Sequence, residues 1–461
     1  MGYVIVFFFL LFSLPMFHVL SDSHISVGNQ IIVSIPSRYD PTFHGKAFFM
    51  QNGELVPNFK AALSVDAVGG RYLCELAVFL GDVKVWNSGR FSRFYAAGSC
   101  ILQLLETGLL QLSDSDGRVG WRIGAYGQGI KRLELKRTGN LILMDSENHT
   151  KWQSFDFPTD IMLWHQRLYA PAGLTSFINN STLFYSFEIQ HKQIALYLYS
   201  NDRSYSYWEF KPSKNRSIAF AELGSNGLKL FNSKYHKVAQ IPSKGEEPIR
   251  FAALSRSGSL GFYHYSPHAG KFEASFQVIN STCDLPLPCG PCGICIPSNP
   301  SECMQALRCP GSIQSKCDKA LSSGFCHSRD ATKMVEMQGI STVLRGMPLK
   351  VNVNKEECAS LCEKDCTCLA VLFSNKGNQQ GCSLYELVGG VRQFQLGAGE
   401  SYLVKFPEET GGSCGSTFGI KKLLLVIGGV VDGVAIMLIL GGLILYLVKK
   451  KRQKDNRNEN T

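Results

Sequence analysis

The segment ETGLLQLSD at 106–114 aligns without gaps on RTGNLILMD at 137–145, so the chain contains an internal repeat. In each copy a Thr-Gly turn leads into a strand whose side chains alternate between two faces. Three tryptophans, Trp86, Trp121 and Trp152, also recur at similar intervals in strand-like runs. The repetition predicts a three-part sheet structure whose parts each contribute one tryptophan to a shared apolar core.

The composition indicates an ordered, extracellular type of chain. Of 461 residues, 45% are apolar, 11% aromatic and 18% charged, which suggests roughly two to four domains and argues against extensive disorder. Sixteen cysteines and 44 glycines are typical of an oxidised protein rich in strands and loops. The formal net charge is +10, but the last thirteen residues hold six Lys and Arg against two acids. Nucleic acid is therefore not an expected partner.

Two apolar stretches predict the compartment. YVIVFFFLLFSLPMF at 3–17 is typical of the core of a signal peptide, which we place at 1–21. Residues 423–448 are long enough to cross a bilayer and are followed at once by a basic cytoplasmic tail at 449–461. This order predicts a single-pass type I protein of the plasma membrane, with its N-terminal part outside the cell.

Sequons for N-linked glycosylation all fall on the predicted outer side of the membrane. They begin at Asn148, Asn179, Asn180, Asn215 and Asn280. Secretion through the endoplasmic reticulum requires this placement, so we expect glycans at these positions.

Several motifs, in a fixed order, resemble one family. WQSFDFPTD at 152–160 resembles the signature that closes the first bulb-type lectin domain of plant S-domain proteins, the S-locus glycoproteins and G-type lectin receptor kinases. RFAALSRSGSLGFYHY at 250–265 is similar to the late strands of their second lectin-like domain. Cys283 followed by CGPCGIC at 289–295 resembles an EGF-like module, and EECASLCEKDCTCLAVLF at 356–373 resembles a PAN (apple-like) module.

The resemblance implies a mainly β fold. It consists of tandem bulb-lectin-like β-prism domains, a disulfide-rich EGF-like module, an α+β PAN/apple-like module and a single C-terminal transmembrane helix. The expected boundaries are 22–166 for the bulb-type lectin domain, 167–280 for the second lectin-like domain, 281–325 for the EGF-like module, 326–406 for the PAN domain and 407–422 for a juxtamembrane linker. Since only thirteen residues follow the predicted helix, we expect a kinase-less, membrane-anchored relative of these receptors.

The family binds mannose with a Gln-x-Asp-x-Asn-x-Val-x-Tyr strand, whose polar side chains bond the sugar hydroxyls. The resemblance maps this strand onto Lys136, Thr138, Asn140, Ile142 and Met144. Only Asn140 and the Val-like Ile142 match, and each missing buried partner costs about 1–3 kcal/mol. We therefore expect a retained fold with a degenerate sugar-binding strand, and conventional mannose binding is the less favoured alternative.

Most cysteines lie in the C-terminal part of the predicted ectodomain. Fourteen of the sixteen follow residue 280, which leaves Cys74 and Cys100 as natural partners in the first domain. The resemblance implies five further disulfides: Cys283–Cys295, Cys289–Cys303, Cys326–Cys366, Cys358–Cys382 and Cys362–Cys368. The cysteines without an assigned partner are Cys292, Cys309, Cys317 and Cys414. For Cys414, interchain and intrachain bonds remain equally open.

Two other interpretations of the cysteines are disfavoured. Cys289-Gly-Pro-Cys292 matches the thioredoxin tetrapeptide, and with Cys295 it resembles half a zinc site. No βαβ pattern surrounds it, and an oxidising compartment favours disulfides. Because the sequence shows no catalytic triad, metal constellation or phosphate loop, we expect no catalytic residue, no cofactor and no metal site.

Local patterns predict two further elements. Asn354 as N-cap with Glu357 at N3 predicts a helix beginning at Lys355, followed by a central strand at 368–373. IALYLYSNDRSYSYWEF at 194–210 predicts a hairpin about an Asn-Asp turn. Its aromatic residues Tyr205, Tyr207 and Trp208 are expected in a half-buried sheet, the alternative being a binding ledge.

The predicted membrane helix carries a stripe of small residues and one acid. The stripe consists of Gly428, Gly429, Asp432 and Gly433. A carboxylate in mid-membrane costs about 2.5–3.5 kcal/mol, and small residues allow close helix packing. We expect a helix-association face that pairs with another copy or with a receptor kinase, the alternative being a protonated Asp432 in a lone helix.

Together these features predict a non-catalytic cell-surface recognition protein, receptor-like or co-receptor in type. It would bind a glycan or a secreted protein outside the cell and associate through its membrane helix. The alternatives are a carbohydrate-binding lectin for cell-wall adhesion and, less favoured, an extracellular thiol oxidoreductase.

Overall fold

The protein was analysed as a computed structural model. The structure describes residues 23–52, 56–90, 92–124, 127–178, 182–213, 216–245, 247–290, 293–296, 303–305, 332–346, 350–376, 379–393 and 399–407. The predicted signal peptide, the linker after Pro407, the membrane helix with Asp432 and its glycines, and the basic tail lie outside these residues. Within the described ranges, no helix is both long and apolar enough to cross a membrane.

The first domain consists of short strands. They are β1 (His24–Ser26), β2 (Gln30–Ser34), β3 (His44–Asn52), β4 (Phe59–Val68), β5 (Arg71–Leu80), β6 (Val83–Asn87), β7 (Phe94–Ala96), β8 (Ser99–Leu104), β9 (Leu110–Asp114), β10 (Val119–Ile123), β11 (Ile130–Leu135), β12 (Leu141–Asp145) and β13 (Thr150–Gln153). Three antiparallel sheets result, in the orders β3-β4-β5-β6 with β7 beside β5, β10-β9-β8-β2, and β1-β11-β12-β13. The predicted three-part sheet structure is confirmed.

Equivalent turns explain why the two sequence repeats fold alike. Gly108 and Gly139, which precede β9 and β12, adopt φ of 85° and 83°, a left-handed conformation without steric cost for glycine. At the far ends of these strands, the carboxylates of Asp114 and Asp145 each accept hydrogen bonds from the backbone N–H groups two and four residues later. Each repeat is therefore a strand bounded by the same pair of turns.

The three tryptophans meet in the core of this domain. The Trp152 ring packs edge-to-face against Trp86 and Trp121, with centroid distances of 5.8 and 6.4 Å. Trp86 and Trp152 are buried, Trp121 is half-buried, and Trp86 Nε1 donates to the carbonyl oxygen of Phe157. Such aromatic pairs contribute about 0.5–1.5 kcal/mol beyond the area they bury. The tryptophans thus fill the shared core that the sequence predicts.

The second lectin-like domain repeats this architecture. Its strands are β14 (Ile161–Leu163), β15 (Arg167–Tyr169), β16 (Ala172–Phe177), β17 (Leu183–Ile189), β18 (Ile194–Ser200), β19 (Arg203–Phe210), β20 (Phe220–Gly224), β21 (Gly227–Phe231), β22 (Lys237–Pro242), β23 (Phe251–Leu254), β24 (Leu260–Ser266) and β25 (Lys271–Gln277). They form the sheets β14-β23-β24-β25, β15-β20-β21-β22 and β16-β17-β18-β19. Because β14 pairs with β23, this domain's pairing begins upstream of the expected boundary at residue 167.

The Cys-rich and PAN-like part adds two sheets and one helix. Its elements are β26 (Gly293–Cys295), β27 (Cys303–Gln305), β28 (Thr332–Met337), β29 (Ile340–Thr342), β30 (Lys350–Val351), α1 (Lys355–Lys364), β31 (Ala370–Lys376), β32 (Gln379–Tyr385), β33 (Val391–Gln393) and β34 (Glu400–Pro407). The sheet orders are β27-β26-β33-β29 and β28-β34-β31-β32-β30. The predicted strand at 368–373 falls on β31, which lies in the middle of its sheet.

Helix α1 begins and ends as its sequence dictates. Asn354 Oδ1 accepts from the Glu357 N–H at 2.7 Å, and Glu357 Oε2 accepts from the Asn354 N–H at 3.2 Å. The predicted capping box is confirmed. At the other end, the buried Lys405 ammonium donates to three backbone carbonyl oxygens of the last helical turn and the residue after it, where a cation is favourable.

Disulfides join described residues in each region. They are Cys74–Cys100, Cys283–Cys295, Cys358–Cys382 and Cys362–Cys368, four of the six pairs expected from the sequence. Cys289 and Cys366 are also disulfide-bonded, but the side chains of their expected partners, Cys303 and Cys326, lie outside the described residues. Those two pairs stay predictions, and the cysteines without an assigned partner also lie outside the described part.

Candidate recognition surfaces

The mapped sugar-binding strand of the first domain runs from the turn before β12 into β12. Asn140, which matches the family motif, is bonded within the protein. Its Nδ2 donates to Gln153 Oε1 at 2.8 Å, and its Oδ1 accepts from the Ser154 hydroxyl and the Phe155 N–H, both at 3.2 Å. The side chain therefore ties β12 to the segment after β13, which is a structural role.

The other mapped residues are buried, exposed in the turn or paired with a neighbouring charge. Ile142 and Met144 are 4% and 6% exposed, Thr138 is exposed in the turn, and the Lys136 ammonium lies 2.6 Å from a Glu134 carboxylate oxygen. Sugar hydroxyls would find few uncommitted partners on this strand. The contacts of Asn140 and Lys136 stabilise the local structure around this strand.

Glu134 of β11 is the acid beside this strand. Burial alone would raise its pKa, but hydrogen bonds and charges from Lys136 and Arg132 outweigh burial and hold the pKa below its usual value. The carboxylate is therefore ionised and neutralised by two neighbouring cations. It does not replace the free acid acceptor of the family motif.

The turn after β12 is organised by the Asp145 carboxylate. Burial alone would raise the pKa of Asp145, but backbone N–H groups of His149 and Glu147 and the Lys151 ammonium outweigh it and hold the pKa well below its usual value. The Asp145 and Lys151 charges are 3.0 Å apart. Next to this turn, the sequon residue Asn148 is exposed, as is Asn280. Asn179, Asn180 and Asn215 lie outside the described residues.

A buried junction forms where the second lectin-like domain meets the PAN-like part. The ring of Tyr205 on β19 stacks on Tyr385 of β32, with centroids 5.2 Å apart and planes 25° apart. Neither ring is more than 2% exposed. The Tyr205 oxygen accepts from the Glu386 N–H at 3.0 Å, and the Tyr385 hydroxyl donates to the Leu344 carbonyl oxygen at 3.0 Å. One apolar core thus spans both parts.

Charges and backbone bonds extend this junction to its edge. Arg203 forms ion pairs with Glu386 at 2.7 Å and Asp365 at 3.3 Å. The backbone of Ser206 exchanges two hydrogen bonds with Arg345, at 2.7 and 3.2 Å. A shared core, two ion pairs and a β-bridge hold the two parts as one unit.

No sequence pattern marks Arg203, Arg345 or Tyr385, because their partners lie far away along the chain. The Arg203–Asp365 bond joins residues 162 positions apart, and the Tyr205–Glu386 bond joins residues 181 apart. Tyr205 and Tyr207 are buried in the sheet, at 2% and 6% exposure, and Trp208 is half-buried. These exposures support the expected half-buried sheet, and a binding ledge is wrong for the buried Tyr205 and Tyr207.

Comparison with known proteins identifies two domains. Residues 84–176 match the D-mannose binding lectin family, and residues 332–404 match the PAN domain family. The G-type lectin S-receptor-like serine/threonine-protein kinase SD2-5 of Arabidopsis thaliana is 24% identical to this chain over 294 residues. That alignment covers 60% of this chain and 35% of the kinase.

Other relatives are not kinases by name. A PAN domain-containing protein of Arabidopsis thaliana is 24% identical, with 67% of this chain and 60% of that protein covered. EP1-like glycoprotein 2 of Arabidopsis thaliana is 27% identical, with 66% of this chain and 76% of the glycoprotein covered. The chain thus spans 35% of the kinase and 60% of the PAN domain-containing protein.

These matches relate the described domains to two known protein families. The lectin and PAN families are non-catalytic, and the kinase relatives match this chain in their ectodomain region alone. The mainly β, disulfide-linked architecture is that of bulb-lectin-like domains followed by a PAN domain. The chain therefore carries a D-mannose binding lectin domain and a PAN domain and is homologous to G-type lectin S-receptor-like kinases, PAN domain proteins and EP1-like glycoproteins, which fits an S-domain ectodomain-type protein.

Proposed function

We propose that this protein is a non-catalytic recognition protein of the plasma membrane, which binds a glycan or a secreted protein outside the cell and acts with a receptor kinase or a second copy of itself. The observation that carries the proposal is the single core shared by the second lectin-like domain and the PAN domain. Two modules of recognition families present one continuous surface, with their relative position fixed before a ligand arrives.

A fixed surface favours recognition on energetic grounds. Binding loses free energy whenever side chains or domains become ordered in the complex. The Tyr205–Tyr385 stack and the two ion pairs of Arg203 fix this geometry in the free protein. The disulfides of the PAN part add to this, since closing a loop stabilises a small module by about 2–4 kcal/mol.

The membrane part of the proposal rests on the sequence. The predicted helix at 423–448 anchors the protein as a single-pass type I chain, and the basic tail sets its orientation. Gly429, Gly433 and Asp432 provide the expected association face.

A carbohydrate-binding lectin for wall adhesion is the second candidate, and the lectin family match favours it. It differs from the first in needing no membrane partner. The thiol oxidoreductase alternative receives no support from the described cysteines of the PAN part. Cys358, Cys362, Cys368 and Cys382 are 0% exposed and disulfide-bonded, whereas redox catalysis needs an accessible low-pKa thiol.

The test is proximity labelling with the full-length chain on the surface of living cells. We expect labelling of a receptor kinase or of a second copy of the chain, and loss of that labelling in an Asp432→Leu variant. A Val430→Leu variant in the same predicted helix serves as the matched control. Wild-type protein that labels wall polysaccharide and no membrane protein would favour the adhesion lectin instead.

A further inference from the structure

The turn between β21 and β22, residues 232–236, repeats a turn that the first domain uses twice. In all three, the side-chain oxygen of the first residue accepts from the backbone N–H groups two and four residues later. The fourth residue adopts a left-handed φ of 79°, 67° and 60° in turn, and these residues are Gly117, Asn148 and Tyr235. Glycine and asparagine tolerate this conformation, whereas a bulky side chain is strained in it. Folding alone does not call for a tyrosine here.

The first residue of this turn also differs from its two counterparts. Asp114 and Asp145 carry carboxylates, and the Asp145 carboxylate lies 3.0 Å from the Lys151 ammonium. Asn232 makes the same two backbone contacts through an uncharged amide oxygen. The turn therefore keeps its geometry, but it has no acid to offset Lys234, which is exposed.

Tyr235 belongs to a group of four aromatic rings on the outer side of the β15-β20-β21-β22 sheet, called here the aromatic face. Tyr169, Phe220 and Phe231 are direct cross-strand neighbours, and the Phe220 ring lies 5.0–5.4 Å from each of the other three rings. Phe220 is thereby only 2% exposed, but Tyr169 and Tyr235 are 56% and 62% exposed. The alternate residues of β20 and β21 lie in the domain core instead. The rings therefore form a separate apolar cluster that faces outward.

Arg167 connects these rings to the charged part of the same face. Its guanidinium carbon lies 5.4 Å from the centre of the Phe220 ring and 6.0 Å from that of the Tyr235 ring, within range of a cation–π contact. Its Nε donates to the Glu222 carboxylate at 2.5 Å. Glu222, the one acid in the described strands of this sheet, is therefore already neutralised.

Three lysines give the aromatic face a net positive charge. Lys229 lies across from Glu222, on the side away from Arg167. Lys237 begins the edge strand β22 and Lys234 lies in the turn before it, and both are exposed. Together with Arg167 these are four cations against one carboxylate. Such a surface attracts an acidic partner and repels a basic one.

The combination of exposed tyrosine rings and cations indicates the kind of partner. Tyrosine and arginine are enriched among the residues that dominate the energy of protein–protein binding. Apolar side chains of a partner would cover the exposed rings of Tyr169 and Tyr235, and its carboxylates would pair with the lysines. A polyanion without apolar side chains would satisfy the lysines alone. The surface therefore favours a polypeptide that carries both kinds of group.

We infer that the aromatic face binds an acidic segment of another protein, in which carboxylates lie beside apolar side chains. The inference rests on the proposed recognition function and names its surface and its class of partner. Tyr169 and Tyr235 contact the apolar side chains, while Lys229, Lys234 and Lys237 contact the carboxylates.

The experiment selects peptides that bind the full-length chain, in detergent micelles, from a random short-peptide library, and then measures the affinity of the selected peptides. We expect them to be enriched in Asp, Glu and apolar residues relative to the library. Tyr235→Asn removes the ring and places at this position the residue that Asn148 provides in the equivalent turn, so the fold is retained. This variant should bind the selected peptides about fivefold or more weakly.

Charge is tested separately from the ring. Lys234→Glu should weaken binding by about threefold at low salt and by less at high salt. Phe48→Ala is the matched control for the ring, because Phe48 of the first domain is 50% exposed and has the Lys60 ammonium 5.5 Å from its centre. Lys271→Glu reverses another exposed lysine of the second domain and is the control for charge. Both controls should bind as the wild type does.

Several outcomes would overturn the inference. These are selected peptides without acidic enrichment, unchanged binding in Tyr235→Asn, equal losses in the controls, and tighter binding of an oligosaccharide of uronic acids than of the selected peptides. Absence of any peptide binding by the folded wild type would also overturn it. The recognition function would survive that last result if the same chain still labelled a receptor kinase or another copy of itself on cells, so the two failures are distinguishable.

Discussion

Removal of one hydroxyl should loosen the junction between the second lectin-like domain and the PAN domain. In Tyr205→Phe the ring and its stack on Tyr385 are retained. The Glu386 N–H, which donates to the Tyr205 oxygen at 3.0 Å, loses its acceptor beside a ring that is 2% exposed. An unsatisfied buried donor costs about 1–3 kcal/mol, against roughly 3–5 kcal/mol for removal of a whole buried aromatic side chain.

Hydrogen exchange of the full-length chain measures this loss locally. A loss of about 1–3 kcal/mol raises the equilibrium constant for local opening by about 5- to 150-fold, so exchange of the Glu386 amide should accelerate by the same factor. Tyr72→Phe is the matched control: the Tyr72 oxygen accepts from the Asp40 N–H at 2.7 Å in the first domain. An unchanged Glu386 amide in Tyr205→Phe, or equal acceleration in both variants, would refute the reasoning.

Three further predictions concern the first domain and the membrane helix. Asn140→Ala removes the hydrogen bonds that tie the start of β12 to residues 153–155. It should lower the free energy of unfolding of this domain in denaturant by about 1–3 kcal/mol without changing glycan binding, whereas unchanged stability with altered glycan binding would contradict a structural role. The pKa of Asp145 is lower in the folded protein than in the unfolded chain. Its contribution to the free energy of unfolding is therefore fully present above the unfolded pKa of about 3.9 and is lost as the pH falls through the lower folded pKa. Asp145→Asn should therefore flatten the acid-unfolding curve below about pH 4, and an identical curve would argue against this. Asp432→Leu should reduce energy transfer between labelled copies in membranes if the chain self-associates, whereas unchanged transfer would point to a different contact.

Features that depend on neighbouring residues could be predicted from the sequence. The capping box of Asn354 and Glu357 needs only a three-residue spacing, and the hairpin between β18 and β19 needs only its turn residues. Asn201 takes the left-handed φ of 50° that such a turn requires. The tryptophan core was predictable because similar sequence segments fold into similar units, which place their tryptophans at equivalent positions.

The exposed and buried faces of the β16-β17-β18-β19 sheet could not be assigned in this way. Tyr197 and Tyr199 alternate along β18 just as Tyr205 and Tyr207 alternate along β19, and their hydropathy is the same. The turn puts the two pairs on opposite faces, but which face is buried depends on the sheets and the PAN domain that pack against it. The core that buries Tyr205 and Tyr207 includes Tyr385 of the PAN domain, which lies far away along the chain, and no local pattern reports it.

The fixed junction between the second lectin-like domain and the PAN domain can be measured through hydrogen exchange of the Arg345 amide, which donates to the Ser206 carbonyl oxygen at 2.7 Å. If the two modules open only as one unit, this amide exchanges about as slowly as the amides of β18 (Ile194–Ser200). Fast exchange of the Arg345 amide while β18 stays protected would show two modules that open separately, and the proposed pre-formed recognition surface would be wrong.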